Sequence, residues 1–243
     1  MRGITVCVGF DDLLPITLRR NLAHLSELWI ITHPEDTLTL REASRHDRAR
    51  VFTTDAFYRQ GAQFNKGLAI EEGFAAMGRF GWIMVLDADT LLPPRLTIPA
   101  LDVGCLYSPR RRLLANPLDW HPQLTDWSQL PLVDDREFAG YCQLFHADDP
   151  RLVPRPWYDV DYRHAGGCDS TFQRKWPTRQ KIRPEFEVLH LGPVASNWCG
   201  RTVPRLDGRE LVELDDRQAA MRELLAKRQS AQRRGGHPDE RLS

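Results

Sequence analysis

Short apolar runs alternate with segments of helical periodicity over the first hundred residues. The apolar runs predict strands at residues 4–8, 28–31, 51–53 and 82–86. Apolar side chains three and four positions apart predict helices at residues 15–25 and 64–77, and Gly78 is a natural stop for the second helix. The first part of the chain is therefore expected to alternate strand and helix.

The segment Trp82-Ile83-Met84-Val85-Leu86 is apolar at every position. A continuous apolar run is typical of a strand that is covered on both faces of a parallel sheet. Strand–helix–strand alternation also implies right-handed crossovers, with helices packed on the sheet. The predicted fold class is α/β, with a Rossmann-like, mostly parallel sheet flanked by helices.

The second half of the chain shows less periodicity. Residues 109–139 are rich in Pro, Trp, Asp and Arg, and we expect long loops there. Strands are predicted at 140–145 and 187–191, and a C-terminal helix at about 209–234. The polar tail, residues 235–243, is predicted to be disordered.

Composition narrows the functional classes. Lys plus Arg and Asp plus Glu are equal at 33 each, so global charge points neither to a nucleic acid nor to a membrane. Five scattered cysteines without a C-x-x-C pair argue against a structural zinc site and favour reduced thiols. No segment is long enough to span a bilayer or has the layout of a signal peptide, so a cytoplasmic protein is expected.

The most informative motif is Asp87-Ala88-Asp89, directly after the strongest predicted strand. Side chains two positions apart in extended backbone point to the same side, here at the strand end where open α/β sheets place their ligands. Two adjacent carboxylates repel unless a cation lies between them, and Mg²⁺ or Mn²⁺ suits such hard oxygen ligands. The alternative is that both aspartates only form a turn or cap a helix.

The order of short motifs resembles the GT-A glycosyltransferases, especially those of family 2. The motifs are Gly9-Phe10-Asp11-Asp12 after the first strand, Thr32 to Asp36 after the second, Phe64-Asn65-Lys66-Gly67-Leu68 before a helix, and Asp87-x-Asp89. The resemblance implies one GT-A-like catalytic domain over residues 1–234. Its parts would be a nucleotide-sugar-binding half at 1–103, an acceptor half at 104–206 and a C-terminal helix at 207–234.

The same resemblance implies a donor site for a nucleotide sugar, with a UDP- or GDP-sugar as the expected donor. Its implied residues are Phe10, Asp11, Asp12, Asp36, Asn65, Lys66 and Asp87. Asp87 and Asp89 would hold the metal. The alternative for the Asn65-Lys66 pair is that Asn65 caps the following helix and Lys66 is solvated in its first turn.

Three residues of the second half would complete the catalytic machinery by the same resemblance. Asp169 matches the acidic motif that supplies the base in inverting enzymes, although Cys168 stands where a second acid often lies. His190 would complete the metal site and favour Mn²⁺, and Arg201 would clamp the donor phosphates. The alternatives are that Asp169 is a helix cap and that His190 is a hydrogen-bonded core residue.

Acceptor contacts are assigned to Trp120, Trp176 and Arg110, although most of the tryptophans equally suit a satellite core. Arg110-Arg111-Arg112 is either a solvated strip or part of a nucleic-acid surface. The acceptor is therefore left between a hydroxymethylated base in DNA and a glycan or small molecule. A monomer or homodimer is expected.

Two other functions remain open at this point. A nucleotidyltransferase also uses an acidic metal site beside an α/β sheet, but its usual N-terminal glycine-rich, basic phosphate loop is replaced here by Gly9-Phe10-Asp11-Asp12. A non-catalytic nucleotide- or sugar-binding module would keep the fold without turnover.

Overall fold

The computed structural model describes residues 1–98, 100–133, 138, 140–193 and 196–209. The described strands are β1 (Arg2–Val6), β2 (Leu28–Thr32), β3 (Ala49–Thr53), β4 (Trp82–Asp87), β5 (Thr90–Leu91), β6 (Leu106–Tyr107), β7 (Arg110–Leu114), β8 (Leu132–Val133), β9 (Cys142–His146), β10 (Lys181–Ile182) and β11 (Glu187–Leu191). The described α-helices are α1 (Leu14–Asn21), α2 (Thr37–Ala43), α3 (Lys66–Met77) and α4 (Cys168–Gln173).

The larger sheet has the strand order β10-β6-β9-β4-β1-β2-β3. The four strands of the first half, β3, β2, β1 and β4, are parallel to one another, while β9 runs antiparallel to both of its neighbours. The predicted fold class, a mostly parallel α/β sheet flanked by helices, is confirmed. The surroundings of β4 differ from the expected parallel sheet, because β4 is parallel to β1 but antiparallel to β9.

A smaller sheet of order β5-β11-β7-β8 continues from the larger one. Strand β5 begins at Thr90, immediately after the Asp87-Ala88-Asp89 motif that ends β4. Leu191 of β11 donates its backbone N–H to the carbonyl of Asp89 at 2.8 Å. The aspartate motif therefore lies at the junction of the two sheets.

The apolar side chains of β4 alternate between two cores. Ile83 and Val85 belong to the cluster that includes α3, whereas Met84 and Leu86 belong to the cluster that includes α1. All four are at most 1% exposed. The unbroken apolar run of β4 follows from this double burial, since a strand alternates its side chains between the two faces.

Helix α3 begins and ends where the sequence predicts. The side chain of Asn65 accepts a hydrogen bond from the backbone N–H of Leu68 at 2.9 Å, and Gly78 ends the helix with a φ of 80°. Gly73 brings α3 close to β2, because a Cβ there would lie 2.5 Å from Cδ1 of Ile31. The cap fixes the position of Lys66, the first residue of the helix.

Three expectations about secondary structure were wrong in part. Helix α1 ends at Asn21 and not at the predicted residue 25. Leu22 and Leu25 are buried, but they belong to the segment that follows the helix. Helix α2, capped by Asp36, falls where no helix was predicted. The segment 109–139 includes β7 and β8 rather than loops alone.

The predicted C-terminal helix and tail lie almost entirely outside the described residues. Within the described part of the chain, no helix combines the length and the apolar character that crossing a bilayer requires. All five cysteines are buried free thiols, as predicted.

Candidate functional site

The parallel strands bring Asp87 and Asp89 to the edge of a cleft. Asp87 ends β4 opposite Val6 of β1, and its backbone N–H donates to the carbonyl of Tyr141 at 3.2 Å. Both aspartates line the cleft, whose volume is about 390 Å³. Phe10, Lys66, Asp169 and His190 also line it. Six residues singled out from the sequence therefore face the same cleft.

Lys66 joins two of the cleft carboxylates. Its Nζ donates to Oδ1 of Asp87 at 2.7 Å and to Oδ2 of Asp169 at 3.0 Å, and the residue is only 6% exposed. Burial lowers the pKa of the Lys66 ammonium, but the charges of Asp169 and Asp87 more than offset it and hold the pKa well above its usual value. The alternative of a solvated Lys66 was wrong.

The three carboxylates are in different electrostatic environments. Burial would raise the pKa of Asp87, but the charge and hydrogen bond of Lys66 keep it below its usual value. Burial raises the pKa of Asp89, His190 opposes this rise only in part, and the charge of Asp87 adds to it. Burial also raises the pKa of Asp169, because Lys66 opposes the effect only in part. Asp89 and Asp169 are thus the groups short of positive charge.

Asp89 faces His190 across a short gap. His190 lies in β11 opposite Thr90 of β5, which places its Nε2 3.6 Å from Oδ1 of Asp89. Its Nδ1 lies 3.1 Å from the carbonyl oxygen of Gly192, so in the neutral form of the ring the proton would lie on Nδ1. Nε2 then presents a lone pair toward Asp89. Oδ1 of Asp89 is buried without a hydrogen-bond partner in the described structure.

This pair fits a divalent cation. An imidazole that ligates a metal ordinarily donates its other N–H to a carboxylate or carbonyl, as Nδ1 of His190 does toward Gly192. A cation between Nε2 and Oδ1 would satisfy two acceptor atoms that otherwise face each other. Within the described ranges, no three Asp, Glu, His or Cys side chains converge as a complete metal site. Phosphate oxygens and water would have to supply the remaining ligands, as is usual for Mg²⁺ sites.

Asp169 lies in the first turn of α4 and is not its cap. The cap is Gly167, with a φ of 102°, and the side chain of Asp169 turns to Lys66 instead. Oδ1 of Asp169 is buried without a hydrogen-bond partner among the described residues. The helix-cap alternative was therefore wrong, and Oδ1 of this carboxylate is an unpaired buried oxygen beside the cleft.

The predicted donor residues Asp11, Asp12 and Arg201 make ion pairs instead of lining the cleft. Arg205 holds both oxygens of Asp11 at 2.7 Å. Arg201 pairs with Asp12 and also donates to the carbonyls of Gly9, Val203 and Pro204. The prediction that Arg201 clamps phosphates was wrong, because its guanidinium is buried in contacts that tie the chain after β11 to the loop after β1.

The side chains of Asp36 and Asn65 form hydrogen bonds with backbone groups of nearby helices and loops. Asp36 caps α2 through Thr39 and accepts the N–H of Gly9 at 2.7 Å, so it joins the loops after β1 and β2. Asn65 caps α3, as its alternative interpretation predicted, and also donates to the carbonyl of Val160 at 2.7 Å. Neither side chain lines the cleft.

The residues predicted to contact the acceptor lie away from the cleft. Trp176 is 1% exposed in the core, and its Nε1 donates to Asp149 at 2.8 Å. Trp120 packs half-buried against the core and lines a separate cavity beside α1. Arg110 is exposed on β7 and does not line the cleft. The assignment of Trp176 was wrong because its ring is packed in the core, whereas Trp120 and Arg110 lie outside the cleft and stay predictions.

Arg111, Gly140 and Tyr141 line the cleft but were not predicted to do so. Because the run 110–112 is a strand, successive arginines point to opposite faces. Arg111 stacks on Tyr141 at 4.5 Å, whereas Arg112 pairs with Glu187 at 2.6 Å. If this run had been predicted as a strand, the side chain of Arg111 would have been expected on the opposite face from those of Arg110 and Arg112.

No family model matches the sequence, and curated proteins show no match to it either. One similar solved structure is a mannosyl-3-phosphoglycerate synthase from Rubrobacter xylanophilus, 14% identical over 98% of this chain and 76% of that one, with a TM-score of 0.47. Another is the glycosyltransferase GlyE of Streptococcus pneumoniae TIGR4, 11% identical over 93% and 63% of the two chains, with a TM-score of 0.44.

A 4-diphosphocytidyl-2C-methyl-D-erythritol synthase is also similar, at 15% identity over 92% of this chain and 97% of that one, with a TM-score of 0.41. The similar structures thus include both transferase classes considered from the sequence. At these identities and scores they do not distinguish one reaction from the other.

Proposed function

We propose that this chain is a metal-dependent glycosyltransferase that moves a sugar from a nucleotide-sugar donor to an acceptor hydroxyl with inversion. The observation that carries the proposal is the facing pair of Asp89 Oδ1 and His190 Nε2, which share a cleft with Asp169, whose Oδ1 has no hydrogen-bond partner in the described structure. One end of such a cleft suits a cation with its diphosphate, and the other suits a base.

Asp89 and His190 would hold the divalent ion, with Asp87 beside them. When bound there, a divalent ion would supply positive charge that offsets the negative charge developing on the departing nucleoside diphosphate. The cleft charges agree with this assignment, since three carboxylates face only Lys66 and Arg111 as full cations among the described lining residues. A divalent ion offsets that excess of negative charge.

Asp169 is the proposed base. Its Oδ2 is held by Lys66, which orients the carboxylate, and its Oδ1 is buried without a hydrogen-bond partner among the described residues. Oδ1 would take the proton of the acceptor hydroxyl as that oxygen bonds to the anomeric carbon. The bond between that carbon and the phosphate oxygen breaks in the same step, and its electrons leave with the nucleoside diphosphate. The raised pKa of Asp169 favours acceptance of this proton.

A nucleotidyltransferase is the competing function. It would have to hold a nucleoside triphosphate beside the loop after β1, where the two acidic side chains Asp11 and Asp12 are already paired with arginines. The sugar transferase requires no basic loop at that position, because its donor is a diphosphate held through a metal.

The test is a product assay on the full-length chain. A panel of UDP- and GDP-sugars with Mn²⁺, Mg²⁺ or EDTA is incubated with the protein, and nucleoside diphosphate and free sugar are measured. We expect slow, metal-dependent release of a nucleoside diphosphate from one donor class. Asp89→Ala should abolish the release, whereas Asp148→Ala, which removes a carboxylate that is 75% exposed and outside the cleft, should not.

A second assay separates the competing functions. Pyrophosphate release from a nucleoside triphosphate and a sugar phosphate, with no turnover of nucleotide sugars, would identify a nucleotidyltransferase. Asp169→Asn should retain donor binding and lose transfer, so full turnover by that variant would refute the assignment of the base. Tight donor binding with no turnover under any condition would identify a binding module.

A further inference from the structure

One tryptophan is exposed at the mouth of the cleft. All seven tryptophans lie in the described residues, and only Trp198 is classed among the exposed large side chains, at 46% exposure. It lines the same cleft as Asp89 and Asp169. Burying the apolar surface of an indole is favourable, and an exposed indole does not gain that free energy. A ligand packed against the ring would bury this surface.

Local contacts hold Trp198 in place. Its carbonyl accepts the backbone N–H of Ala165 at 2.7 Å. The His164 ring lies 6.4 Å from the indole at an interplanar angle of 22°. Gly166 packs against the indole, since a Cβ there would lie 3.3 Å from Cδ2 of Trp198. A ring that is already ordered binds a flat ligand with little further loss of entropy.

The segment under Trp198 leads directly to the proposed base. Ala165 and Gly166 contact the tryptophan, Gly167 caps α4, and Asp169 lies in the first turn of that helix. All of them line the cleft. A ligand stacked on Trp198 would therefore lie beside the cleft wall that presents Oδ1 of Asp169.

The surroundings of Trp198 are neutral. The described lining residues next to it in the sequence, or contacting its segment, carry no charge: Ala165, Gly166, Gly167, Ser170, Ser196 and Asn197. The charged lining residues are three aspartates, Lys66 and Arg111. Apart from the imidazole of His164 that stacks on the indole, an anionic acceptor would find no additional cationic group among these residues, so an uncharged ligand with hydroxyl groups and one apolar face fits best.

We propose that Trp198 forms an acceptor subsite for a neutral sugar ring, which stacks on the indole and directs a hydroxyl toward Asp169. This inference rests on the proposed function, and it narrows the acceptor from any hydroxyl compound to an uncharged carbohydrate. It also argues against DNA as acceptor, because Arg112 of the basic run is paired with Glu187 and Arg111 stacks on Tyr141.

The test is a binding experiment that needs no turnover. Saturation-transfer NMR is recorded on the chain of residues 1–243 with diamagnetic Mg²⁺ and UDP or GDP, using glucose, mannose, galactose and lactose as neutral probes. Glucose 6-phosphate and a short single-stranded oligonucleotide serve as anionic probes. The variants are Trp198→Ala, Trp198→Phe and a control, Phe80→Ala, which removes an aromatic ring that is 62% exposed but outside the cleft.

We expect saturation of the ring C–H protons of at least one neutral sugar. Its affinity should fall about tenfold in Trp198→Ala, recover in part in Trp198→Phe and stay unchanged in Phe80→Ala. Equal affinity in the wild type and Trp198→Ala, binding of anionic probes only, or no sugar binding at all would overturn the subsite.

The same data separate this inference from the proposed function. Sugar binding that depends on Trp198, without any metal-dependent nucleotide binding, would leave the subsite standing and refute the transferase. Metal-dependent nucleotide binding without Trp198-dependent sugar binding would support the transferase and refute the subsite.

Discussion

The carboxylate of Asp169 occupies the space that a side chain at Gly140 would fill. A Cβ built on Gly140 would lie 2.0 Å from Oδ2 of Asp169 and 2.4 Å from Oδ1. Gly140 precedes β9, whose first residues face the end of β4, so it lies between the proposed base and the aspartate motif. The orientation of the base thus depends on a missing side chain as well as on Lys66.

Gly140→Ala should displace the Asp169 carboxylate without unfolding the chain. We expect kcat of sugar transfer to fall about 100-fold, since a misplacement of about 1 Å at a reacting group has effects of that size. Melting temperature and kcat should be measured together. Gly104→Ala is the matched control, because the nearest atom to its Cβ would lie at 3.4 Å.

A double variant separates steric displacement from general damage. In the Asp169→Ala background, Gly140→Ala should have no further effect on the residual rate, because the group that it displaces is absent. Additive losses of rate in the double variant would contradict the role assigned to Gly140.

Lys66→Met should destabilise the protein most at alkaline pH. It removes the cation from Asp169, whose side chain is 14% exposed, and from Asp87, whose side chain is 32% exposed, so the cost at neutral pH should be at most about 3 kcal/mol. Burial then raises the pKa of both carboxyl groups above the unfolded values, so the folded state binds protons more tightly. The free energy of unfolding of the variant should therefore rise as pH falls from 8 to 5.

Urea unfolding of Lys66→Met at several pH values measures this dependence. Lys175→Met, outside the cleft, is the control. A loss of stability that is the same at pH 5 and pH 8 would show that the two carboxylates are not the source of the effect.

The pair of Asp11 and Arg205 should contribute to stability and not to donor binding. Arg205→Met leaves a buried aspartate without its bidentate partner and should cost about 3 kcal/mol. Adding Asp11→Asn should restore part of the loss, because it removes a buried charge that would keep only the longer contact with Arg209, at 3.3 Å, among the described residues. The measurements are the free energy of unfolding and nucleotide affinity of the folded variants. If Arg205→Met keeps its stability but loses nucleotide affinity, the earlier assignment of Asp11 to the donor site would be supported instead.

The cysteines should be unreactive in the folded protein. Burial raises the pKa of the thiols of Cys7, Cys142 and Cys168, and the thiolate is the reactive form. An aromatic disulfide reagent at pH 8 should titrate the five thiols slowly in the native state and quickly in denaturant. A fast thiol in the native protein would locate a region that opens locally.

The sequence was sufficient to predict the parallel half of the fold. An apolar run such as β4 and a capped, largely apolar helix such as α3 carry local signals that tertiary contacts did not override. The sequence was also sufficient to single out Asp87, Asp89, Asp169 and His190 as candidate site residues. Their meeting in one cleft is a property of strand order and register.

Other positions depended on contacts that local patterns do not contain. Lys66 was interpretable as a solvated helix residue, and only its long-range contacts with Asp87 and Asp169 show that it is buried. Arg201 was interpretable as a phosphate ligand until its pairing with Asp12 was visible. Arginine and tryptophan are used for core contacts and for ligands alike, so composition alone could not assign Trp176 or Arg110.

The most direct test of the central claim is a thermal-shift measurement with UDP and GDP, each with Mn²⁺ and with EDTA, on the wild type and Asp89→Ala. At 100 times its Kd, the correct nucleotide should raise Tm by roughly 5 to 10 °C with Mn²⁺. The shift should vanish with EDTA and in Asp89→Ala. A shift of equal size without metal, or one that persists in Asp89→Ala, would contradict a metal held by Asp89 and His190.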